Sequence, residues 1–186
     1  MNAPAGSHPT PGIDRVQDRQ LGRSVIRLMP GAVHVAEAPA VLTTVLGSCV
    51  AVCVRDEAAG IAGMNHFMLP TSEESDGGGR YGTAAMASLL ETVRRRSGSS
   101  AALEVKVFGG GRIVEGMSDV GQRNIDFVRR WLADAGLPIS AEDLGGAHPR
   151  KIHYFVDSGR VLLRKLRPLH ARAIAADEAR GAAMSA

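Results

Sequence analysis

Two apolar runs separated by a short polar turn constrain the fold of this chain more than any other feature. The first run extends from Cys49 to Val54 and the second from Ile61 to Leu69, with the polar or small residues Arg55 to Gly60 between them. Apolar runs of this length on either side of a turn are typical of a β-hairpin. The sequence therefore predicts a hairpin near the middle of the domain.

The register of this hairpin brings a thiol and an imidazole together. A turn centred near Ala58 pairs residues whose numbers sum to about 116, which places Cys49 opposite Phe67 and within one position of His66. The Gly-Ser pair before Cys49 is expected to put the thiol at the accessible mouth of its strand. Facing side chains in a sheet are close enough for proton transfer, so the pattern predicts a cysteine nucleophile with a histidine base.

Two further elements complete the predicted catalytic site, a set of backbone N–H groups and a hydroxyl. A neighbouring histidine raises the thiolate fraction of a cysteine and later returns the proton to a leaving group. The backbone N–H groups from Gly47 through Ser48 to Cys49 are predicted to hold the developing oxyanion. The hydroxyl of Thr43, at the other side of the loop, is predicted to fix the orientation and tautomer of the His66 imidazole.

Spacing alone leaves structural alternatives open for these residues. A cysteine in an apolar strand is most often a core residue, and so is a lone histidine among apolar neighbours. Cys53 is predicted to be core and, at about 3.3 Å per residue, lies too far along the same strand to form a disulfide with Cys49. His34 and His66 are ligand types that zinc accepts, but without a Cys-x-x-Cys spacing we predict no metal site and no cofactor. His153 is predicted to be a core or face histidine.

The rest of the sequence predicts an α+β fold. Apolar or alternating runs predict short strands and a second hairpin, at Ser24–Leu28, Ala32–Ala36, Leu103–Phe108 and 152–166. Apolar residues recur at helical spacing over Thr83–Arg96, with Thr83 as N-cap, and over Asp119–Ala135. The expected architecture is a set of layered β-sheets built from hairpins with two main amphipathic helices.

Two glycine-rich segments border the predicted site. Gly109–Gly111 follows the strand that ends at Phe108, and it lacks the Gly-Lys-Ser/Thr or spaced Gly-x-Gly-x-x-Gly of nucleotide-binding loops. The triple glycine therefore favours a tight turn over a phosphate-binding loop. The acidic, polar and glycine-rich segment Thr71–Gly79 is predicted to be a mobile loop that covers a cleft beside His66.

Length and composition limit the remaining choices. A chain of 186 residues with 45% hydrophobic residues fits one globular domain, which we predict over 21–167. Residues 1–20 are predicted to be a disordered tail, and the Ala/Arg-rich residues 168–186 a tail that is a frayed helix or disordered. A net charge of only +3 does not indicate nucleic-acid binding. Without a signal-peptide core or a run apolar enough for membrane insertion, a cytoplasmic location is expected.

Motifs spread over about residues 24–166 closely resemble the CheD family of bacterial chemoreceptor glutamine deamidases. They are Thr43, Leu46-Gly47-Ser48-Cys49-Val50, Asp56, Gly63, His66, Met68-Leu69-Pro70, Tyr81, Phe108-Gly109-Gly110-Gly111, Gly121-Gln122-Arg123-Asn124, Gly145-Gly146, Arg150-Lys151 and Gly159-Arg160-Val161. One departure is Val45, where the family more often has glycine. The resemblance implies the same broad architecture as the one predicted above, layered β-sheets with two main helices. It also implies that this fold is similar to that of a cysteine hydrolase.

The resemblance also implies roles for individual residues. The matching cysteine, histidine and threonine form the catalytic triad of that family, which makes Cys49 the nucleophile, His66 the general base and acid, and Thr43 the orienting residue. The loop that contains Gly109 and Gly110 is implied to let the backbone of the target approach the site.

The implied reaction is that of a protein-glutamine glutaminase. It hydrolyses glutamine side-chain amides to glutamate on methyl-accepting chemotaxis receptors, through a thioester on Cys49. Some members also hydrolyse receptor glutamyl methyl esters, and a CheC-like phosphatase is a further implied partner. Two alternatives stay open: a non-catalytic adaptor that binds receptors or a CheC-type phosphatase, and a deamidase of some other protein.

Overall fold

Ten strands in two five-stranded sheets and three helices make up the part of the chain that the structure describes. The structure is a computed structural model, and it describes residues 12–68, 81–98, 101–113, 119–167 and 171–183. The strands are β1 (Ile13–Asp18), β2 (Arg23–Leu28), β3 (Val33–Glu37), β4 (Val41–Leu46), β5 (Val50–Asp56), β6 (Ile61–Asn65), β7 (Glu104–Gly109), β8 (Ile139–Leu144), β9 (Arg150–Phe155) and β10 (Val161–Lys165). The helices are α1 (Gly82–Ser97), α2 (Val120–Asp134) and α3 (Ala171–Ala183).

The two sheets pack face to face and the helices α1 and α2 cover one of them. The first sheet has the order β1-β2-β4-β9-β10 and the second the order β3-β6-β5-β7-β8. Neighbouring strands are antiparallel except for the pairs β2–β4 and β7–β8. The predicted α+β fold with layered sheets and two amphipathic helices is therefore confirmed in its broad class.

Alternation along β5 shows how this layering arises from the sequence. Ala51 and Cys53 lie in the apolar cluster between the two sheets, whereas Val50, Val52 and Val54 lie in the cluster that packs against α1 and α2. Both faces of the strand are thus covered by protein. Since neither face meets water, the strand is apolar at nearly every position, and that continuous run is the signal that predicted it.

The two main helices lie where the sequence predicts them. Helix α1 covers the predicted range Thr83–Arg96. Its C-cap is Gly98, which has the left-handed φ of 59° that favours glycine at this position. Its N-cap is Tyr81, so the prediction of Thr83 as N-cap is wrong and Thr83 lies inside the first turn. No helix within the described ranges is long and apolar enough to cross a membrane.

Two strands differ from the sequence-based expectations, and one helix forms in a segment for which the sequence left two alternatives open. Residues 13–18 of the predicted disordered tail form β1, which is antiparallel to β2. In the turn between the two strands, Asp18 accepts hydrogen bonds from two backbone N–H groups. The predicted tail at 168–186 contains α3, which agrees with its helical alternative. Strand β8 was not predicted, because its largely polar sequence lies at a sheet edge. The predicted loop at Thr71–Gly79 lies outside the described residues.

The central hairpin forms, but its register differs by one residue from the predicted one. Strands β5 and β6 pair Cys53 with Met64, and an isolated bridge pairs Val50 with Phe67. The predicted pairing of Cys49 with Phe67 is therefore wrong. In the observed register, Cys49 and His66 lie diagonally on the face that meets the first sheet, which still brings their side chains together.

Candidate active site

The thiol of Cys49 and the imidazole of His66 meet at one end of the space between the sheets. Cys49 comes directly before β5, and His66 directly after β6. The sulfur of Cys49, a ring nitrogen of His66 and a carboxylate oxygen of Glu178 in α3 all lie within 4.8 Å of one another. The proximity predicted for the thiol and the imidazole is thus observed. The thiol is only 1% exposed, however, so it is not accessible at a strand mouth as expected.

Thr44 is the residue that holds the His66 ring. Its hydroxyl Oγ1 lies 2.8 Å from His66 Nδ1 and donates to the backbone carbonyl of Leu28 at 2.8 Å. Because the single hydroxyl proton goes to that carbonyl, Oγ1 acts as an acceptor toward the ring, and Nδ1 carries the proton. Nε2 then has a lone pair, and within the described part of the chain it is buried without a hydrogen-bond partner.

Thr43 does not contact the imidazole, so its predicted orienting contact is wrong. Its hydroxyl donates to the backbone carbonyl of Ile152 at 2.7 Å, on the outer face of the first sheet. Successive residues of a strand point to opposite faces, and Thr44 is the one that shares a face with the core residues Leu42 and Leu46. That alternation within Val41–Leu46 is a sequence signal that favours Thr44.

Burial favours the neutral form of both the Cys49 thiol and the His66 imidazole. It lowers the pKa of His66 to about 4, against smaller upward contributions from the Glu178 carboxylate and the Leu28 backbone carbonyl. Burial also raises the pKa of the Cys49 thiol well above its usual value, and the charge and hydrogen bond of Glu178 raise it further. Both shifts favour the neutral forms, a thiol beside an unprotonated imidazole.

The backbone N–H groups of the nucleophile loop, residues 47–49, converge on one acceptor. Gly47 N–H donates to Glu178 Oε1 at 2.8 Å, and Cys49 N–H donates to the same oxygen at 3.3 Å. Glu178 Oε2 accepts from Ser48 Oγ at 2.9 Å and from the Ser48 N–H at 3.3 Å. Three of these four donors belong to the predicted oxyanion residues Gly47 and Ser48, and the fourth is the Cys49 N–H. They are arranged to stabilise negative charge on an oxygen beside the thiol.

The triple glycine supports the nucleophile loop from behind. Gly110 N–H donates to the Cys49 carbonyl at 2.8 Å and Gly111 N–H to the Gly47 carbonyl at 2.7 Å. A Cβ on Gly109 would lie 2.1 Å from the Cys49 carbonyl oxygen, so only glycine permits this approach. Gly109 and Gly110 have left-handed φ values of 117° and 66°, and the Gly110 N–H is bound to the Cys49 carbonyl. The predicted substrate roles of Gly109 and Gly110 stay predictions.

Asn124 is a site residue that sequence reasoning did not single out. Its Nδ2 donates at 3.0 Å to both the Ser48 carbonyl and the Met68 carbonyl, and so links the nucleophile loop to the segment after His66. The side chain is fully buried although it is polar. The sequence signal for this buried linking role is the position of Asn124. It is a polar residue on the apolar face of α2, four positions before Val128.

Arg150 binds the backbone at the first residue of the triple glycine. The buried guanidinium donates from Nη1 to the carbonyl of Gly109 at 3.2 Å and to the Asp143 carboxylate at 2.6 Å. Its Nη2 donates to the Gly145 carbonyl. One cation thus links the ends of β7 and β8 beneath the nucleophile loop. No periodicity in the sequence indicates this role of Arg150.

Two other residues with reactive side chains are structural. Cys53 is fully buried between the sheets, as predicted, and burial raises the pKa of its thiol. His153 is buried on the outer face of the first sheet, with Nε2 2.8 Å from Asp18 Oδ2. Lys151 also donates to that carboxylate at 2.6 Å, so the predicted assignment of His153 as a core or face histidine is confirmed.

Cys49, His66 and Glu178 are also ligand types that zinc accepts. Both carboxylate oxygens of Glu178 accept hydrogen bonds from the nucleophile loop, so protein contacts account for its position. The absence of a metal from the mechanism stays a prediction.

Known proteins resemble this chain over most of its length. A family model described as CheD chemotactic sensory transduction matches residues 68–165. The probable chemoreceptor glutamine deamidase CheD of Hahella chejuensis (strain KCTC 2396) is 44% identical over 167 residues, which cover 85% of this chain and 78% of the relative. The protein of the same name from Ralstonia nicotianae (strain ATCC BAA-1114 / GMI1000) is 46% identical over 156 residues, 81% of this chain and 67% of the relative.

A third relative extends the match almost to both ends. The probable chemoreceptor glutamine deamidase CheD of Stenotrophomonas maltophilia (strain K279a) is 42% identical over 181 residues, 96% of this chain and 90% of the relative. A match of that extent necessarily includes Cys49 and His66, which precede the range of the family model. The chain therefore belongs to the CheD family.

Proposed function

We propose that this chain is a cysteine hydrolase that converts glutamine side chains of chemotaxis receptors to glutamate, the activity that the names of its relatives give to those proteins. The observation that carries the proposal is the convergence of a thiol, an imidazole lone pair and several backbone N–H donors around one carboxylate. Hydrolysis of an amide through a thioester needs these three components together. The cytoplasmic helices of methyl-accepting receptors are the substrate expected from the sequence.

The first half of the reaction forms the thioester. Cys49 Sγ gives its proton to His66 Nε2 and attacks the side-chain carbonyl carbon of glutamine, whose oxygen becomes negative. The N–H groups of the nucleophile loop stabilise that oxyanion. The carbon–nitrogen bond then breaks, and the leaving nitrogen takes the proton from His66 and departs as ammonia.

The second half releases glutamate. Water gives a proton to His66 Nε2 and attacks the thioester carbon, and the carbon–sulfur bond breaks as the proton returns to Cys49. The product is a carboxylate in the position that the loop N–H groups surround. Thr44 serves both halves as a positioning residue, because its hydroxyl keeps the proton on Nδ1 and the lone pair on Nε2.

The same chemistry applies to a glutamyl methyl ester. The acyl group and the thioester are identical for the two substrates, and only the leaving group changes from ammonia to methanol. We hold this methylesterase activity as secondary, and binding to a CheC-like phosphatase stays a prediction from the resemblance.

Mass spectrometry of a purified receptor cytoplasmic fragment tests the proposal. We expect glutamine to become glutamate when the fragment is incubated with the protein, and no conversion with Cys49→Ala. Cys53→Ala is the matched control, because it removes the second thiol at a position buried away from the site. Conversion by Cys49→Ala would exclude Cys49 as nucleophile. Binding of the fragment without conversion by the parent protein would favour the adaptor alternative.

A further inference from the structure

The carboxylate of Glu178 accepts hydrogen bonds from the donor groups that a substrate is proposed to use. Its oxygens accept from the N–H groups of Gly47, Ser48 and Cys49 and from the hydroxyl of Ser48, at 2.8–3.3 Å. Glu178 is only 8% exposed, although it belongs to a helix near the end of the chain. A charged side chain is rarely buried to this extent unless its partners fully satisfy it.

The chemistry of this contact is that of the proposed product. Hydrolysis of a glutamine side chain leaves a glutamate carboxylate beside the thiol and the imidazole, and a glutamate carboxylate is what lies there now. The proposed substrate is a glutamine carried by a helix, and Glu178 is also carried by a helix. The contact therefore reproduces both the reacted side chain and the type of segment that presents it.

The surroundings of Glu178 show that α3 covers the approach to the base. A cavity of about 180 Å³ lies between the helix and the domain. Leu28, Pro30 and His66 line it on the domain side, and Ile174 lines it together with Glu178 on the helix side. The side chain of a foreign helix cannot reach His66 by this route while α3 is in place.

We propose that α3 is an intramolecular occupant of the substrate site, in which Glu178 acts as a product mimic that a receptor segment must displace. This inference rests on the proposed function for the identity of the mimicked product, and on geometry alone for the occupancy. With α3 docked, the loop donors are satisfied and the thiol is shielded. Displacement of the helix frees the donors and exposes Cys49 and His66 together. A segment of the chain itself thereby competes with substrate for the site.

Alkylation of Cys49 by iodoacetamide measures this occupancy without any substrate. We expect Glu178→Ala, and a chain that ends at Arg167, to react at Cys49 roughly tenfold or more faster than the parent protein, because a charged and hydrogen-bonded contact is lost. Asp177→Ala is the matched control, since it removes the adjacent carboxylate, which is exposed and pairs with Arg180. Peptide mapping separates Cys49 from Cys53, whose unchanged protection shows that the core is intact.

A second variant turns the mimic into a substrate. In Glu178→Gln, Cys49 attacks the new side-chain carbonyl, ammonia leaves, and water releases glutamate, so the peptide gains the mass difference between an amide and an acid. We expect this conversion in the single variant and not in Glu178→Gln combined with Cys49→Ala. The double variant also controls for spontaneous deamidation during handling.

The outcomes separate this inference from the proposed function. Equal alkylation rates for the parent protein, Glu178→Ala and the shortened chain would overturn the occupancy of the site by α3. Faster alkylation without conversion of any receptor glutamine would support the occupancy and overturn the deamidase proposal. Faster alkylation together with conversion of the residue at position 178 supports both.

Discussion

Two buried histidines lie on opposite sides of β4, each beside one of its adjacent threonines. His66 accompanies Thr44 in the space between the sheets, and His153 pairs across the strands with Thr43 on the outer face. His153 Nε2 is bound to the Asp18 carboxylate, which also holds Lys151. His66 is bound only through Nδ1, and its Nε2 is without a partner among the described residues.

The two sites differ in whether the Nε2 atom of the histidine is already engaged in a hydrogen bond. The aspartate–histidine pair looks more catalytic, but the Asp18 carboxylate binds both Lys151 and the ring nitrogen of His153, and no thiol is among the described contacts of the pair. The hydroxyl of Thr44 binds one ring nitrogen of His66 without adding charge, and burial lowers the pKa of the ring. Under the proposed function, His66 can act as a base because its Nε2 has no hydrogen-bond partner among the described residues and lies near the Cys49 thiol.

The largest difference between the two sites is expected when each histidine in turn is replaced by glutamine. His66→Gln removes both the base and the acid, so we expect kcat/KM for receptor deamidation to fall by about a thousandfold. His153→Gln should retain turnover within about twofold, because its ring contacts no reacting group. The glutaminase assay on a receptor fragment measures both. Similar losses in the two variants would remove the distinction between the sites.

The adjacent threonines provide a matched pair with a smaller effect. We expect Thr44→Val to lower kcat by roughly ten- to a hundredfold, since Nδ1 loses its acceptor and the wrong tautomer becomes populated. It should also lower the free energy of unfolding by about 1 kcal/mol, because the Leu28 carbonyl loses a hydrogen bond. Thr43→Val should leave kcat unchanged and lower the free energy of unfolding by about 1 kcal/mol, because the Ile152 carbonyl loses a hydrogen bond. Single-turnover kinetics and urea unfolding separate the two outcomes. A greater loss of kcat in Thr43→Val would restore the original sequence prediction.

The outer site can be tested through stability alone. Hydrogen bonds from Lys151 and His153 lower the pKa of Asp18, so its carboxylate stabilises the fold fully above the unfolded pKa of about 3.9 and less as the pH falls below it. We expect Asp18→Asn to lower the free energy of unfolding at pH 7 by roughly 2–4 kcal/mol, and by less near pH 3. Denaturant unfolding at the two pH values checks the sign. A deficit that grows in acid would contradict it.

The smallest effect concerns the pH dependence of the reaction. Burial lowers the pKa of His66 to about 4, and only the unprotonated ring can accept the thiol proton. We therefore expect kcat/KM to stay within about twofold between pH 7 and pH 5.5 and to fall as the pH approaches 4. A pH profile measured with saturating and with limiting receptor fragment checks this. A midpoint near 6.5 would indicate an exposed, unshifted histidine.

Local patterns in the sequence predicted the parts of the fold that depend on local physics. The apolar periodicity of α1 and α2 and the runs on either side of 55–60 located the helices and the central hairpin. The hairpin register differs by one residue because the turn residues alone do not fix which pairs face each other. Strand β1 was hidden by the proline and glycine residues that precede it.

The candidate site was predictable only where its residues share one strand or hairpin. Cys49 and His66 were found from the hairpin, and Thr44 follows from the alternation with Leu42 and Leu46. Glu178 was not predictable, since it reaches Gly47 from 131 residues away through the docking of α3. Asn124 and Arg150 similarly act across elements that only the tertiary structure brings together.

The supports behind the nucleophile loop also fix the direction of its donors. A trans peptide is planar, so the N–H of one residue points opposite to the carbonyl of the residue before it. Gly111 holds the carbonyl of Gly47, which aims the Ser48 N–H at the site, and Asn124 holds the carbonyl of Ser48, which aims the Cys49 N–H there. The proposed oxyanion donors are thus oriented by groups on the opposite side of the loop, because each of the two peptide planes is fixed at its carbonyl by the triple glycine or by helix α2.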